Sequence, residues 1–158
     1  MKFTAEMTAV TDLEPVAGWE DESIAFNIKL KCEYCGGISP EFRRICKEDL
    51  VQNDAHLVER CSDCGKRTGV VTILRQIGVP LKNGIETVVM ILDIEGMTPV
   101  PNQFDTEFNW TAKSQVTGAS SAHFKIEPGQ PRDVYDGEEG DETPMGTIDR
   151  ISCCVESV

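Results

Sequence analysis

Two short cysteine motifs constrain the fold of this chain more than any other feature. Cys32-Glu-Tyr-Cys35 and Cys61-Ser-Asp-Cys64 are both followed by glycine, and 25 residues lie between them. Two residues between thiols let a tight turn aim both sulfurs at one ion, and the glycine can take the positive φ that brings N–H groups toward sulfur. The spacing therefore predicts one Zn²⁺ ion per chain, held by Cys32, Cys35, Cys61 and Cys64.

A shell of four cysteines leaves no coordination position for a catalytic water, so the predicted role of the metal is structural. Three alternatives stay open at this point: iron in a rubredoxin-like site, a thioredoxin-type dithiol, and free thiols. Ligand type alone does not separate zinc from iron. The dithiol is disfavoured because that motif occurs once, in a βαβ context, whereas this chain carries two copies without it. Since metal binding supplies folding free energy, Cys35→Ser or Cys64→Ser should destabilise the chain severely.

Charge and hydropathy narrow the classes of partner. The 158 residues carry a net charge of -12, which opposes the phosphate contacts on which nucleic-acid binding rests. The stretch 29–75 is mildly basic, with nine Lys and Arg against seven Asp and Glu, and its Lys31, Lys66 and Arg67 would help to offset the thiolates. No signal-peptide or membrane-spanning run is present. We expect a cytoplasmic protein, with nuclear presence allowed, that binds neither nucleic acid nor membrane.

Hydrophobic alternation predicts an all-β or β-dominated fold. The predicted strands lie at 3–9, 26–30, 71–73, 89–93, 109–113, 123–126 and 146–152. A brief helix is predicted only over 40–51, and residues 130–145 read as a mobile acidic loop.

A weak internal repeat suggests how these strands are organised. Residues 3–16 align with 87–100 at an offset of 84, both segments end in Pro-Val, and Phe26 then falls on Trp110. Any two amphipathic strands that end at a proline turn would align about as well. If the repeat is real, two similar β-sandwich or barrel-like halves pack around a pseudo-twofold axis as one globular domain. Residues 1–84 form the zinc-bearing unit, and residues 85–158 form the unit without metal ligands.

The remaining thiols are the other candidates for chemistry. Cys46 follows two arginines, which would lower a thiol pKa, although a buried structural cysteine is the simpler interpretation. Cys153 and Cys154 are adjacent in a predicted strand, so they should point to opposite faces. Neither His56 nor His123 lies in a motif with a nucleophile and an orienting acid. No catalytic residues are predicted, and the chain is interpreted as not being an enzyme.

Several segments together resemble the eukaryotic CXXC motif containing zinc binding protein family over nearly the whole chain. The segments are Leu13-Glu-Pro-Val16, Leu30-Lys-Cys-Glu-Tyr-Cys-Gly-Gly-Ile-Ser39, Cys61-Ser-Asp-Cys64, Gly96-Met-Thr-Pro-Val100 and Asp133-Val-Tyr-Asp136. The resemblance implies a β-rich fold of two similar halves, with zinc held by the four cysteines in one of them. It brings no established reaction, substrate or catalytic residue.

The function that follows is a non-enzymatic adaptor or chaperone-like binding protein with a structural Cys₄ zinc site and a protein partner. The alternatives are a thiol-dependent reductase using Cys46, Cys153 or Cys154, and a copper-delivery protein using the C-terminal cysteines. The identity of the partner and the oligomeric state are left open by the sequence.

Overall fold

The computed structural model describes residues 1–137 and 143–156. Within these residues the secondary structure consists of strands, with no helix, as the alternation predicts. None of them forms a helix that is long and apolar enough to cross a bilayer. The twelve strands are β1 (Lys2–Thr8), β2 (Val10–Pro15), β3 (Ala25–Cys32), β4 (Arg43–Cys46), β5 (Leu57–Arg60), β6 (Thr68–Gln76), β7 (Thr87–Val88), β8 (Met90–Glu95), β9 (Met97–Thr106), β10 (Trp110–Ser114), β11 (Arg132–Val134) and β12 (Gly146–Cys154).

The strands form four small antiparallel sheets around one core. Their strand orders are β11-β12-β1-β7, β10-β2, β4-β3-β9 and β5-β6-β8. Five pairings join a strand before residue 84 to a strand after it, namely β1 with β12, β1 with β7, β2 with β10, β3 with β9 and β6 with β8. The two predicted units therefore share sheets. The boundary at residue 84 and the pseudo-twofold axis stay predictions.

The core is organised around a cluster of aromatic rings. Phe3 contacts the rings of Phe26, Phe104 and Trp110, at centroid distances of 5.9, 5.1 and 6.5 Å. The Trp110 indole N–H donates to Thr106 Oγ1 at 3.2 Å, which satisfies the polar group of a fully buried side chain. Phe26 and Trp110, which the repeat places at equivalent positions, thus lie in the same cluster.

The helix predicted over 40–51 is wrong. Arg43–Cys46 is a strand, β4, that pairs with β3 and buries Ile45 and Cys46. A helix of this length is marginal in water, so ladder hydrogen bonds to an existing strand and the burial of two side chains outweigh its weak propensity.

Two further assignments need correction. Within the predicted acidic loop at 130–145, Arg132–Val134 is strand β11, which pairs with β12 and buries Val134 completely. Residues 138–142 of that loop lie outside the described residues. The strand predicted at 123–126 is reduced to an isolated bridge between Phe124 and Trp110, because the chain here follows β10 only briefly. The other predicted strands are present, with bounds that differ by a few residues.

Candidate metal centre

The four cysteines come from the ends of two different sheets. Cys32 is the last residue of β3, and Cys35 lies in the turn that follows it. Cys61 follows directly after β5, and Cys64 lies in the turn between β5 and β6. Because β3 and the β5–β6 pair belong to different sheets, a ligand bound to all four sulfurs ties those sheets together.

Both turns have the same backbone geometry. Gly36 N–H donates to Cys32 O at 2.9 Å and Gly65 N–H donates to Cys61 O at 3.0 Å, and both glycines have positive φ, 76° and 60°. The next residues aim their N–H groups at sulfur: Gly37 donates to Cys35 Sγ at 3.4 Å and Lys66 donates to Cys64 Sγ at 3.5 Å. The glycine after each cysteine pair thus has the role that the sequence predicts for it.

The spacing of the sulfurs tests whether zinc fits between them. All four Sγ atoms lie within 4.8 Å of one another, with Cys32 3.9 Å from Cys64 and Cys35 3.6 Å from Cys61. A tetrahedral ion with Zn–S bonds of about 2.3 Å requires sulfurs about 3.8 Å apart. The cluster therefore fits one zinc ion, and a four-sulfur shell is closed to water.

Hydrogen bonds and neighbouring thiols separate the pKa values of Cys64 and Cys35. At Cys64 the N–H of Lys66 favours the thiolate and lowers the pKa to about 6. At Cys35 the N–H of Gly37 also favours the thiolate. Desolvation and hydrogen bonding with the other three thiols outweigh it and raise the pKa to about 12. The sulfurs thus compete to carry negative charge, and a divalent cation at their centre would relieve that competition.

The turn between β8 and β9 packs against the metal centre. Met97 pairs with Cys32 across β3 and β9, and it lies so close to Gly69 that a Cβ there would be 2.7 Å from Met97 Cγ. Gly96 has φ of +72°, and a Cβ on it would meet the carbonyl oxygen of Thr68 at 2.6 Å. Local sequence does not indicate a structural role for Gly96 and Met97, because their importance comes from contacts between segments distant in the chain. Their sequence signals are the family segment Gly96-Met-Thr-Pro-Val100 and the alignment of residues 87–100 with residues 3–16, and neither indicates these contacts.

The three basic residues predicted to offset the thiolates lie in or beside the two cysteine turns. The ammonium of Lys66 lies 5.2 Å from the centroid of the Tyr34 ring and donates to its hydroxyl at 3.3 Å, so it bridges the two cysteine turns. Lys31 passes over Gly36, since its Cε would be 3.9 Å from a Cβ at that position. Arg67 closes the second turn through its carbonyl oxygen, which accepts from Cys61 N at 2.9 Å.

The other cysteines lie elsewhere and are not brought together with these four. Cys46 is buried, and its thiol donates to Glu22 O at 3.2 Å. Cys153 is buried and Cys154 is partly exposed, as expected for neighbours on a strand, so their sulfurs do not share one face. Burial raises the pKa of the Cys153 thiol to about 12.

A second group of potential ligands consists of Glu86, Cys154 and Glu156. Its two carboxylates already hold the ammonium of Lys2, at 2.8 and 2.6 Å. The Lys2 ammonium of the chain itself is thus the cation that these two carboxylates bind.

Fold and site together define a class: a small all-β protein with a zinc-binding cluster of four cysteines in paired C-x-x-C turns. The profile described as "CXXC motif containing zinc binding protein, eukaryotic" matches residues 1–149. The chain belongs to this family, as the sequence resemblance predicts.

Individual relatives agree with this assignment. A UPF0587 protein of Caenorhabditis elegans is 26% identical over 126 residues, covering 75% of this chain and 72% of the relative. The CXXC motif containing zinc binding protein of Xenopus laevis is 23% identical over 151 residues, covering 92% of this chain and 90% of the relative.

Two solved structures have a similar fold. The crystal structure of C1orf123 superposes with a TM-score of 0.64 at 20% identity, over 95% of this chain and 92% of that one. A hypothetical protein from Plasmodium falciparum gives a TM-score of 0.63 at 11% identity, over 95% and 93% of the two chains.

Proposed function

We propose that this protein is a non-enzymatic adaptor or chaperone-like binding protein whose zinc ion is a structural link between sheets. The main observation behind this proposal is the closed set of four sulfurs, which leaves a tetrahedral ion no position for substrate or water. Cys32 and Cys61 are also part of the hydrophobic core, so the ion would stabilise the fold directly.

The surface supports a binding role for the scaffold. Large apolar side chains are exposed at Tyr34, in the first cysteine turn, and at Ile38, which lines one pocket with Cys61. Phe42 and Leu74 are exposed as well. Apolar side chains grouped on a surface commonly mark interaction sites. The net charge of -12 favours a protein partner over nucleic acid, and we propose that the partner is met in the cytoplasm.

The test is affinity purification of the tagged protein under reducing conditions, combined with metal analysis. We expect about one zinc per chain and one protein partner that recurs across independent preparations, and that partner should be lost with Cys35→Ser. Cys46→Ser, which changes a cysteine outside the metal centre, is the matched control. Cys46→Ser should keep the partner, and zinc-loaded wild-type protein that recovers no partner above a purification without the tagged protein would contradict the proposal.

The thiol-enzyme alternative makes a different prediction. A catalytic thiol must be accessible and rich in thiolate, whereas Cys46 and Cys153 are buried and burial raises the pKa of Cys153. We therefore expect Cys154 to be alkylated first by iodoacetamide, no faster than a free model thiol, with Cys46 and Cys153 protected until unfolding. Peptide mass mapping of a time course measures this order. Alkylation of any of the three far faster than the model thiol would favour the enzyme.

Copper delivery would require both terminal sulfurs to contribute to one site. This alternative can be tested by competition against a Cu(I) chelator, using wild-type protein and the variants Cys153→Ser and Cys154→Ser. Equal affinities of the three proteins for Cu(I) would exclude copper delivery by these cysteines.

A further inference from the structure

Strand β8 is the edge of its sheet. The sheet has the order β5-β6-β8, and among the described residues no strand pairs with the outer side of β8. An edge strand presents unpaired N–H and C=O groups, which form a template for another strand.

Hydrogen bonds on the far side of β6 reveal which groups of β8 point outward. His56 N donates to Val71 O at 2.9 Å, and Ile73 N donates to His56 Nδ1 at 3.0 Å. The backbones of Val71 and Ile73 therefore face away from β8, and Thr72 between them faces it, opposite Asp93. Because bonded and non-bonded pairs alternate in an antiparallel ladder, the residues on either side of Asp93 direct their N–H and C=O outward. These residues are Leu92 and Ile94.

The start of this outer edge is already in use. Met90 N donates to Met1 O at 3.4 Å, and the Met1 amino group donates to Met90 O at 2.6 Å. Met90, Leu92 and Ile94 are spaced two residues apart along β8, so their backbone groups point to the same side of the strand. The bonds of Met90 to Met1 therefore support an outward direction for the groups of Leu92 and Ile94. Within the described chain the backbone groups of Leu92 and Ile94 have no such partner.

A groove of about 440 Å³ runs beside these unpaired groups. Ile94 and Val155 contribute apolar surface to it, and the carboxylates of Glu33 and Asp93 line it as well. Glu156 also lines it, but its carboxylate holds the ammonium of Lys2. The described residues that line the groove include no lysine or arginine. The groove thus combines open backbone groups, an apolar surface and negative charge.

We propose that the β8 edge binds an extended, basic segment of a partner protein by strand addition. Main-chain bonds to Leu92 and Ile94 would supply the pairing. Alternate side chains of the segment would be aliphatic, to pack in the groove, and lysine or arginine, to meet the carboxylates of Glu33 and Asp93. This inference rests on the proposed binding function and assigns it a surface and a partner chemistry.

The experiment uses the zinc-loaded full chain and a fluorescein-labelled hexapeptide of alternating lysine and valine. Fluorescence anisotropy gives its affinity, and amide shifts in ¹⁵N spectra give its location. We expect saturable binding, with the largest shifts at Leu92 and Ile94. A peptide with the same side chains, N-methylated at alternate residues, should bind at least about tenfold more weakly, because each lost backbone bond removes free energy of that order.

Two protein variants test the surface. Ile94→Pro deletes an outward N–H and leaves the bonds to β6 intact, which edge strands tolerate. Asp93→Lys reverses a charge at an exposed position and does not depend on proline being accommodated. Both should weaken binding at least about tenfold, whereas the matched charge change Glu127→Lys, at an exposed site outside the groove, should change it less than about twofold.

Several results would overturn the inference. Equal binding of the N-methylated peptide would mean that charge alone attracts it. Concentration-dependent dimers that Ile94→Pro abolishes, measured by light scattering without peptide, would assign the edge to a second copy of the chain. If the peptide fails to bind while a partner still co-purifies equally with wild type and Asp93→Lys, the binding function stands and this surface is wrong.

Discussion

Two corners of the molecule join strands from different parts of the chain by different means. In the zinc corner, defined by the turns 32–37 and 61–67, four sulfurs fit one ion between two sheets. In the hydrogen-bonded corner, defined by residues 112–122 and 134–135, the chain folds back along β10. There Ser121 Oγ accepts from Ala112 N at 3.0 Å, and Ala122 N donates to Tyr135 O at 2.8 Å. Strands are thus joined by one metal ion in the zinc corner and by several weak bonds in the hydrogen-bonded corner.

The difference teaches where stability is concentrated. A hydrogen bond contributes about 1 kcal/mol net, so losing one in the second corner leaves the others in place. A structural zinc site contributes on the order of 10 kcal/mol at neutral pH, and most of that is lost when one ligand is lost. In the first of the two cysteine turns Tyr34 is exposed, and Ile38 and Phe42, which follow it, are exposed as well, so these apolar side chains add little burial to the zinc corner.

Loss of a metal ligand should therefore have the largest effect. Cys35→Ser is expected to abolish stoichiometric zinc binding and to destabilise the fold by more than about 4 kcal/mol, because the shell can no longer close. Zinc content by plasma mass spectrometry and urea unfolding followed by tryptophan fluorescence measure the two effects.

Cys46→Ser is the control, since Cys46 is buried in the same sheet as Cys32 and the new hydroxyl can still donate to Glu22 O. It should keep the zinc and lose no more than about 2 kcal/mol. A Cys35→Ser protein with full zinc content and wild-type melting would show that the four sulfurs do not hold a structural ion.

The contrast also explains what the sequence could predict. Regular alternation marks strands such as β1 and β3, and the metal turns are local, so spacing and the following glycines are enough to indicate them. Strands β4 and β11 have four and three residues and exist because a longer strand pairs with them, which local sequence does not contain. The contacts of Gly96 and Met97 with β6 are non-local in the same way, so their importance appeared only with the fold.

A substitution that disturbs the close packing at the zinc corner should have the second largest effect on the free energy of unfolding. Gly96→Ala adds a Cβ at 2.6 Å from Thr68 O while requiring positive φ, and Gly84→Ala requires a similar φ, +68°, in open space. We expect Gly84→Ala to cost about 1 kcal/mol from backbone strain alone, and Gly96→Ala about 3 kcal/mol or more. Urea unfolding of both variants measures the difference. Equal costs would mean that the approach of β8–β9 to β6 adds nothing to the corner.

The smallest effect is expected in the hydrogen-bonded corner. Ser121→Ala leaves Ala112 N–H without its acceptor and removes the donor to Ala122 O, but the bond from Ala122 N to Tyr135 O remains. A cost of about 1 to 2 kcal/mol follows, with unchanged zinc content, whereas Ser120→Ala, at the neighbouring exposed hydroxyl, should cost less than about 0.5 kcal/mol. Urea unfolding measures both. If Ser121→Ala instead destabilised the fold as much as Cys35→Ser, this corner too would depend on a single group, and the contrast between the corners would fail.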